Sequence, residues 1–139
     1  MFSHVMIGAR DVPRMVAFYD RVLAHVGLRR STPADASDPA GALWQGEGRW
    51  PQFALRPPFD GRPASAGNGV QIGFRCPGPE AVRAAWEEGL ALGGTDEGAP
   101  GPRPRYAPDF HAAYLRDPEG NKLCFVWAGD AAPGDAGAR

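Results

Sequence analysis

The sequence nearly repeats itself at one fixed offset. Residues 4–30 read HVMIGARDVPRMVAFYDRVLAHVGLRR and residues 71–97 read QIGFRCPGPEAVRAAWEEGLALGGTDE, an offset of 67, the distance from His4 to Gln71. Both copies run in the same order, from a short apolar stretch through a helical pattern to a terminal glycine. Two copies are too few for a solenoid, so the repeat predicts two half-domains that bury their apolar faces against each other.

Each copy opens with a strand signal and then a helix signal. Phe2–Ala9 is an apolar run that predicts a buried strand. Asp11 then predicts a helix N-cap, and Pro13 falls in the first turn, where proline is tolerated. Apolar residues recur at helical spacing as far as Gly27, which predicts the end of the helix.

The remaining segments predict short strands and one long loop. The second copy begins with a strand and a helix that starts at Pro79, and the stretch Gly98–Pro108 predicts an irregular loop with room for one short strand. The sequence DPEGN joins two apolar runs, which indicates a hairpin. The other predicted strands are Ala42–Gln45, Gln52–Leu55, Val70–Arg75, His111–Arg116 and Lys122–Ala128. Each half therefore reads as strand, helix and then two or three strands.

Length and charge favour a single soluble domain that does not bind nucleic acid. The 139 residues predict a single domain over 1–128, with one module at about 1–60 and the other at about 69–128. A Pro/Gly-rich linker at 57–68 joins them, and 129–139 predicts a flexible tail. The net charge of −1 gives no basic surface for nucleic acid. No apolar run reaches the roughly 18 residues of a membrane span.

The two cysteines indicate a reducing compartment. Cys76 and Cys124 both lie inside apolar runs, which is typical of buried, reduced thiols rather than of a disulfide framework. The chain also enters its first strand without the charged and apolar leader of a secretory signal. These features predict a cytoplasmic protein.

Three segments resemble a known family. HVMIGARD followed by AFYDRVLAHVGL is similar to the first strand and helix of the vicinal oxygen chelate superfamily, GNGVQIGFRC to its second-half strand, and YLRDPEGNKLCF to its C-terminal hairpin. Glyoxalase I, bleomycin-resistance proteins and extradiol dioxygenases belong to that superfamily. The resemblance implies an α+β fold of two βαβββ modules in a pseudo-twofold arrangement, which form a curved sheet around a cavity.

The family's metal ligands project into that cavity from strand positions that can be matched here. His4 matches a histidine ligand of the first strand, whereas Gln71 stands where histidine is usual and Cys124 where glutamate is usual. The resemblance therefore implies a metal site whose ligand set has degenerated. Further cavity residues are Gln52, in the fourth strand, and Tyr114.

The cofactor has two open interpretations. A thiolate in place of a carboxylate favours Zn²⁺ over Mn²⁺ or Fe²⁺, and glutamine oxygen is a weak neutral donor. The site thus holds either a divalent metal (Zn²⁺ or Ni²⁺) at His4, Gln71 and Cys124 or no metal, with Cys124 as a small buried hydrophobe. His111 is a candidate additional ligand only if the hairpin register places it on the face of Cys124, because a slip of one residue reverses the face.

The resemblance implies a protein that binds a small molecule in the cavity, with no catalytic residue assigned. One alternative is a divergent Zn²⁺- or Ni²⁺-dependent lyase or isomerase of glyoxalase type. Another is a ligand-sequestering protein similar to those of bleomycin resistance, although the site strands carry no acid for a cationic drug. A dioxygenase is disfavoured, because its iron site needs a carboxylate where Cys124 stands. The implied partners are the small molecule and a second copy of the chain, because family members are commonly homodimers.

The proline-rich loop before the last hairpin carries two arginines. Arg103, Arg105 and Tyr106 lie there, and such a loop could cover the cavity and present a guanidinium to an anionic substrate. An ordinary solvent-facing loop is the alternative.

Overall fold

The sequence repeat is a structural repeat. The computed structural model describes residues 1–31 and 41–129. Strands β1 and β5 and helices α1 and α2 begin and end at positions that keep the sequence offset. The elements in chain order are β1 (His4–Gly8), α1 (Val12–Ala24), β2 (Arg29–Arg30), β3 (Ala42–Gln45), β4 (Gln52–Arg56), β5 (Gln71–Arg75), α2 (Pro79–Ala91), β6 (Thr95–Pro102), β7 (Phe110–Arg116) and β8 (Lys122–Ala128).

Each module builds a four-stranded sheet with the same strand order. The first sheet runs β1-β4-β3-β2 and the second β5-β8-β7-β6. In each sheet the first strand pairs in parallel with the last strand of its module, and the other pairs are antiparallel. The predicted α+β fold of two βαβββ modules is therefore confirmed. Strands β1 and β5 each lie at a sheet edge.

The helices begin where their sequences predict. The side chain of Asp11 caps α1 by accepting a hydrogen bond from the backbone N–H of Arg14 at 3.1 Å. Helix α2 begins at Pro79 as predicted, with the proline in its first turn. Helix α1 ends at Ala24, before Gly27, whose φ of +84° takes the chain out of the helical region.

The stretch Gly98–Pro108, predicted as an irregular loop with room for one short strand, is strand in its first half. That part continues β6, an eight-residue strand from Thr95 to Pro102. Strand β6 lies at the sheet edge and pairs with β7 through two register shifts. Edge strands and bulges tolerate proline and glycine, which a central strand would not. The two-residue strand β2 was not predicted.

The helix-facing sides of both sheets share one core. Tyr19 of α1 lies 4.9 Å from Phe53 of the first sheet, and Phe53 lies 5.4 Å from Phe74 of the second, as ring centroids. Phe74 in turn stacks on Phe125 at 6.0 Å. Since edge-to-face and offset rings at these separations attract beyond their buried area, this row of aromatic rings holds the two modules together.

The DPEGN turn joins the second module to the first. Asp117, which is 2% exposed, accepts hydrogen bonds from the Tyr19 hydroxyl at 2.6 Å and from the Asn121 amide at 2.8 Å. Glu119 accepts from the backbone N–H groups of residues 10–11 at 2.6 and 2.8 Å, just before α1. The acidic residues of this turn are therefore structural, consistent with their interpretation as turn residues.

The flexible tail predicted for 129–139 lies outside the described residues except for Gly129. Neither of the helices in the described ranges is long and apolar enough to cross a membrane.

Candidate functional site

A cavity of about 740 Å³ lies on the second sheet. It occupies the face turned away from α2, because its lining residue Cys124 alternates along β8 with Leu123 and Phe125, which are fully buried in the core. The loop after β6 forms one wall. Lining residues include Gln71, Arg103, Tyr106, Tyr114, Lys122 and Cys124.

Tyr114 and Cys124 form the floor of this cavity. They are direct partners across β7 and β8. Burial raises the pKa of the Cys124 thiol, which is 3% exposed, although its hydrogen bond with Tyr114 and two nearby cations oppose that effect. Burial and the neighbouring Cys124 likewise raise the pKa of Tyr114. Both groups are therefore protonated at neutral pH, and the floor is neutral.

Two cations flank the Tyr114 ring. The guanidinium carbon of Arg103 and the ammonium nitrogen of Lys122 each lie 5.6 Å from the ring centroid. These separations suit cation–π attraction, which keeps charged groups close to an aromatic face. The only acidic residue in the cavity wall among the described residues is Glu97, and it forms an ion pair with Arg116. The cavity is therefore net positive.

The loop after β6 is held to the second sheet by its own backbone. The Arg103 N–H donates to the Phe110 carbonyl at 2.7 Å, and the Tyr106 N–H donates to the Arg103 carbonyl at 3.0 Å. The aromatic rings of Tyr106 and Phe110 lie 5.2 Å apart on the cavity side. Arg105 lies over the Tyr106 ring. The loop thus forms one wall of the cavity, and its interpretation as a lid stays a prediction.

The structure divides the sequence-predicted site between two sheets. Gln71, Tyr114 and Cys124 line the cavity on the second sheet. His4 and Gln52 are instead direct partners in the first sheet, where they are not among the residues that line this cavity. His4 is exposed, and its Nδ1 lies 2.8 Å from the Ser3 hydroxyl. Gln52 donates to the side chain of another glutamine in the same sheet.

His111 lies on the wrong face to join Cys124. In the β7–β8 register it lies opposite Trp127, whereas Tyr114 lies opposite Cys124. Since side chains alternate along a strand, an odd spacing between His111 and Tyr114 places them on opposite faces. The condition under which His111 would be an additional ligand is therefore not met in this register.

The metal-ligand positions of the sequence do not converge within one chain. Among the described residues, no group of three or more His, Cys, Asp or Glu side chains is placed to hold a metal ion. The remaining donors in the cavity are a neutral amide at Gln71 and a thiol at Cys124 whose pKa is raised by burial. A metal site of the family's kind needs about three protein ligands, so these two donors of one chain do not fit the divalent metal that the family implies.

Sequence reasoning missed three charged or aromatic residues of this wall, Lys122, Phe110 and Glu97. Lys122 stands two positions before Cys124 on β8, and Phe110 four before Tyr114 on β7. Strand periodicity places each pair on one face, so Lys122 could have been found from the predicted strand Lys122–Ala128, whereas Phe110 lies one residue before the predicted strand His111–Arg116. Glu97 could not have been found, because β6 carries no alternating pattern of apolar residues.

Comparison with known proteins identifies the family of this fold. The sequence pattern described as "Glyoxalase/Bleomycin resistance protein/Dioxygenase superfamily" matches residues 1–125. A glyoxalase/bleomycin resistance protein from Albidiferax ferrireducens T118 is 38% identical with a TM-score of 0.77, over 91% of this chain and 98% of that one. None of the curated proteins compared matches this sequence.

More distant structures share the fold alone. A glyoxalase/bleomycin resistance protein/dioxygenase family enzyme from Burkholderia phytofirmans PsJN is 21% identical with a TM-score of 0.69, over 91% of this chain and 97% of that one. A lactoylglutathione lyase from Agrobacterium tumefaciens is 20% identical with a TM-score of 0.60, over 91% of this chain and 92% of that one.

Proposed function

The chain belongs to the glyoxalase/bleomycin resistance protein/dioxygenase superfamily, and from that premise we propose that it binds a small organic molecule in the cavity on its second sheet. The cavity itself carries the proposal. Its volume of about 740 Å³ falls within the roughly 300–1,000 Å³ of small-molecule sites. Its wall combines aromatic rings with a few polar groups, which is the composition such sites need for affinity and orientation.

This binding does not run through a metal. The proposal therefore favours a small-molecule-binding protein with a degenerate metal site over a Zn²⁺- or Ni²⁺-dependent lyase or isomerase. Metal content by mass spectrometry, after loading with Zn²⁺, Ni²⁺, Mn²⁺ and Fe²⁺ in turn, is expected to be well below one ion per chain. A near-stoichiometric ion that is lost in His4→Ala would contradict this part of the proposal.

The same proposal includes a homodimer. Strands β1 and β5 are sheet edges, and large apolar side chains beside them are exposed: Val5 at 37%, Met6 at 50% and Val70 at 59%. Unpaired edges with apolar side chains promote association unless a partner covers them. A second copy can supply the strand that pairs with each edge, because each chain has both a β1 edge and a β5 edge.

Sedimentation velocity tests the dimer. The chain of 14.8 kDa is expected to sediment at twice that mass, and Val5→Lys to shift it towards the monomer, since a charge would be buried at the new interface. Arg83→Gln on α2 is the control. A monomer at every concentration would refute the dimer without bearing on the cavity.

Ligand-observed NMR with a library of small aromatic fragments tests the binding function. Fragments that bind the parent protein are expected to be lost in Tyr114→Ala, because that ring forms the cavity floor. His111→Ala is the matched control, since His111 lies on the same strand and the opposite face. Equal binding by Tyr114→Ala and the parent would show that the cavity is not the binding site.

A cytoplasmic location is part of the proposal. Both cysteines are free and buried, as expected of a chain that folds in a reducing compartment.

A further inference from the structure

We propose that the cavity selects an organic anion, a carboxylate or phosphate attached to a flat ring, and that Arg103 and Lys122 bind its charged group. This inference deepens the proposed function and rests on it. The two cations lie at equal distance from the Tyr114 ring, each 5.6 Å from its centroid. Both cations also act on the Cys124 thiol beside that ring, so both face the floor of the cavity.

Neither cation has an anionic partner in the described residues. The ion pairs of residues 1–31 and 41–129 include neither Arg103 nor Lys122. Glu97, the acid in the same wall, is already paired with Arg116. A pair of cations with no counter-charge on one wall raises the local concentration of anions and repels cations. The charge of the cavity thus argues against the cationic ligands of drug-sequestering relatives.

The backbone holds Arg103 ready for such a ligand. Its guanidinium donates to the Ala99 carbonyl at 2.7 Å and to the Pro102 carbonyl at 3.2 Å. Guanidinium has five N–H donors, so three stay available for oxygen atoms of a ligand. Because the side chain is already fixed, little conformational entropy is lost when it binds a planar carboxylate.

Two glycines make room for that guanidinium. A Cβ atom at Gly101 would lie 3.1 Å from a terminal nitrogen of Arg103, and one at Gly98 would lie 3.4 Å from the other and 3.1 Å from the Tyr114 ring. A Cβ atom at either position would be in tight contact with the guanidinium or the Tyr114 ring, which would have to shift by a few tenths of an ångström. The two glycines of β6 therefore leave space for the guanidinium. This observation does not depend on the absence of an anionic partner for Arg103.

Aromatic groups surround the cations and explain the flat ring of the ligand. Tyr106, Phe110 and Tyr114 all line the cavity, and Tyr106 and Phe110 lie 5.2 Å apart as ring centroids. Offset or edge-to-face contacts with these rings stabilise an aromatic guest. Charge fixes one end of the ligand, and ring contacts fix the other.

Isothermal titration calorimetry of the full-length protein tests the inference with matched probes. Benzoate and phenyl phosphate are the anionic arms, which distinguish a carboxylate from a phosphate ligand. Benzamide is the neutral probe, benzamidine the cationic probe and inorganic phosphate the probe without a ring. We expect at least one anionic aromatic probe to bind about tenfold or more tightly than benzamide and benzamidine, because a charge-assisted hydrogen bond is worth at least that factor.

Two variants and one control assign the effect to residues. Arg103→Gln and Lys122→Met are each expected to weaken the anionic probe about tenfold or more and to leave benzamide unchanged. Arg83→Gln removes a cation outside the cavity and should leave all probes unchanged. Thermal unfolding confirms that each variant is folded, and the two variants test the inference independently.

The outcomes separate the inference from the proposed function. If benzamide or benzamidine binds as tightly as benzoate and phenyl phosphate, the anion inference is overturned while the binding function stands. If inorganic phosphate binds as tightly as phenyl phosphate, the inference that the ligand carries a flat ring is refuted. If no probe binds although aromatic fragments do bind in the NMR screen, the anion inference alone fails; if the screen is also negative, both fail.

Discussion

Replacing Tyr19 by phenylalanine removes one hydroxyl from the joint between the modules. That hydroxyl donates to Asp117 at 2.6 Å, and both residues are buried. Phenylalanine retains the ring, which contacts Phe18, Trp44 and Phe53 at centroid distances of 5.0, 5.8 and 4.9 Å. The substitution therefore creates no sizeable cavity and tests the hydrogen bond by itself.

The expected loss is about 2 kcal/mol in the free energy of unfolding. Hydrogen bonds to charged groups contribute roughly 1.5–3 kcal/mol. Asp117 retains three other donors, the Asn121 side-chain amide at 2.8 Å and the backbone N–H groups of Glu119 and Asn121 at 2.9 and 3.0 Å. Because the carboxylate keeps most of its partners, the loss should lie in the lower part of that range.

Urea unfolding followed by tryptophan fluorescence measures this loss. The midpoint should fall with no change in the slope, and the thermal midpoint should fall by about 6–8 °C for a domain of this size. Tyr106→Phe is the matched control, since Tyr106 is 54% exposed and its substitution should change stability by less than about 0.5 kcal/mol. Equal stability of Tyr19→Phe and the parent would refute the structural role assigned to the DPEGN turn.

The same variant predicts a change in alkaline stability. Burial, followed by the charge of Asp117, raises the pKa of Tyr19 well above its ordinary value of 10.0. The folded state therefore retains the phenolic proton more tightly than the unfolded state. The resulting stability is complete below about pH 10 and is lost as pH rises through the folded pKa. In urea unfolding at increasing pH above 10, the free energy of unfolding should thus fall more steeply for the parent than for Tyr19→Phe. An equal pH dependence of the two proteins would contradict the assignment.

Three further results are expected. Burial raises the pKa of the Cys76 thiol to about 12, and Cys124 is 3% exposed, so a thiol reagent near pH 8 should label both only after unfolding; rapid labelling of the native protein would contradict their burial. Glu119→Gln should lower the free energy of unfolding by about 1 kcal/mol in urea, because the two backbone donors before α1 lose a charged acceptor, and no change would show that its contacts are dispensable. Gly94→Ala should lower the free energy of unfolding by about 3 kcal/mol in the same assay, because its Cβ would lie 2.7 and 2.8 Å from two carbonyl oxygens. Gly46→Ala is the control: its Cβ would meet a single atom at 3.9 Å, so its stability should be nearly unchanged.

Local chemistry made most of the fold predictable. Asp11 and Pro79 mark helix starts through capping and a fixed φ, which depend on neighbouring residues only. Strand β8 was predicted with its bounds, because an apolar run after DPEGN can form little else. The bounds of strand β6 were missed, since its sequence TDEGAPGP has no period of two and pairs only because β7 lies beside it.

The candidate site was less predictable, because it depends on register and on the placement of whole sheets. The sequence identified Gln71, Tyr114 and Cys124 as cavity residues through a family resemblance, and all three line the cavity. It could not decide the face of His111, which a shift of one residue in the hairpin reverses. Nor could it show that His4 lies on a different sheet from Cys124.

The sequence by itself determined the helices and most strands, because propensity, capping and apolar spacing act over a few residues. It also determined their duplication, because the same pattern recurs at a constant offset in both halves. The tertiary structure alone decided which polar side chains meet. Pairing across β7 and β8 put Tyr114 beside Cys124, and the loop after β6 brought Arg103 over the Tyr114 ring. Contacts of this kind join residues on neighbouring strands or on the loop beside them, and they exist only once the strands have found their register.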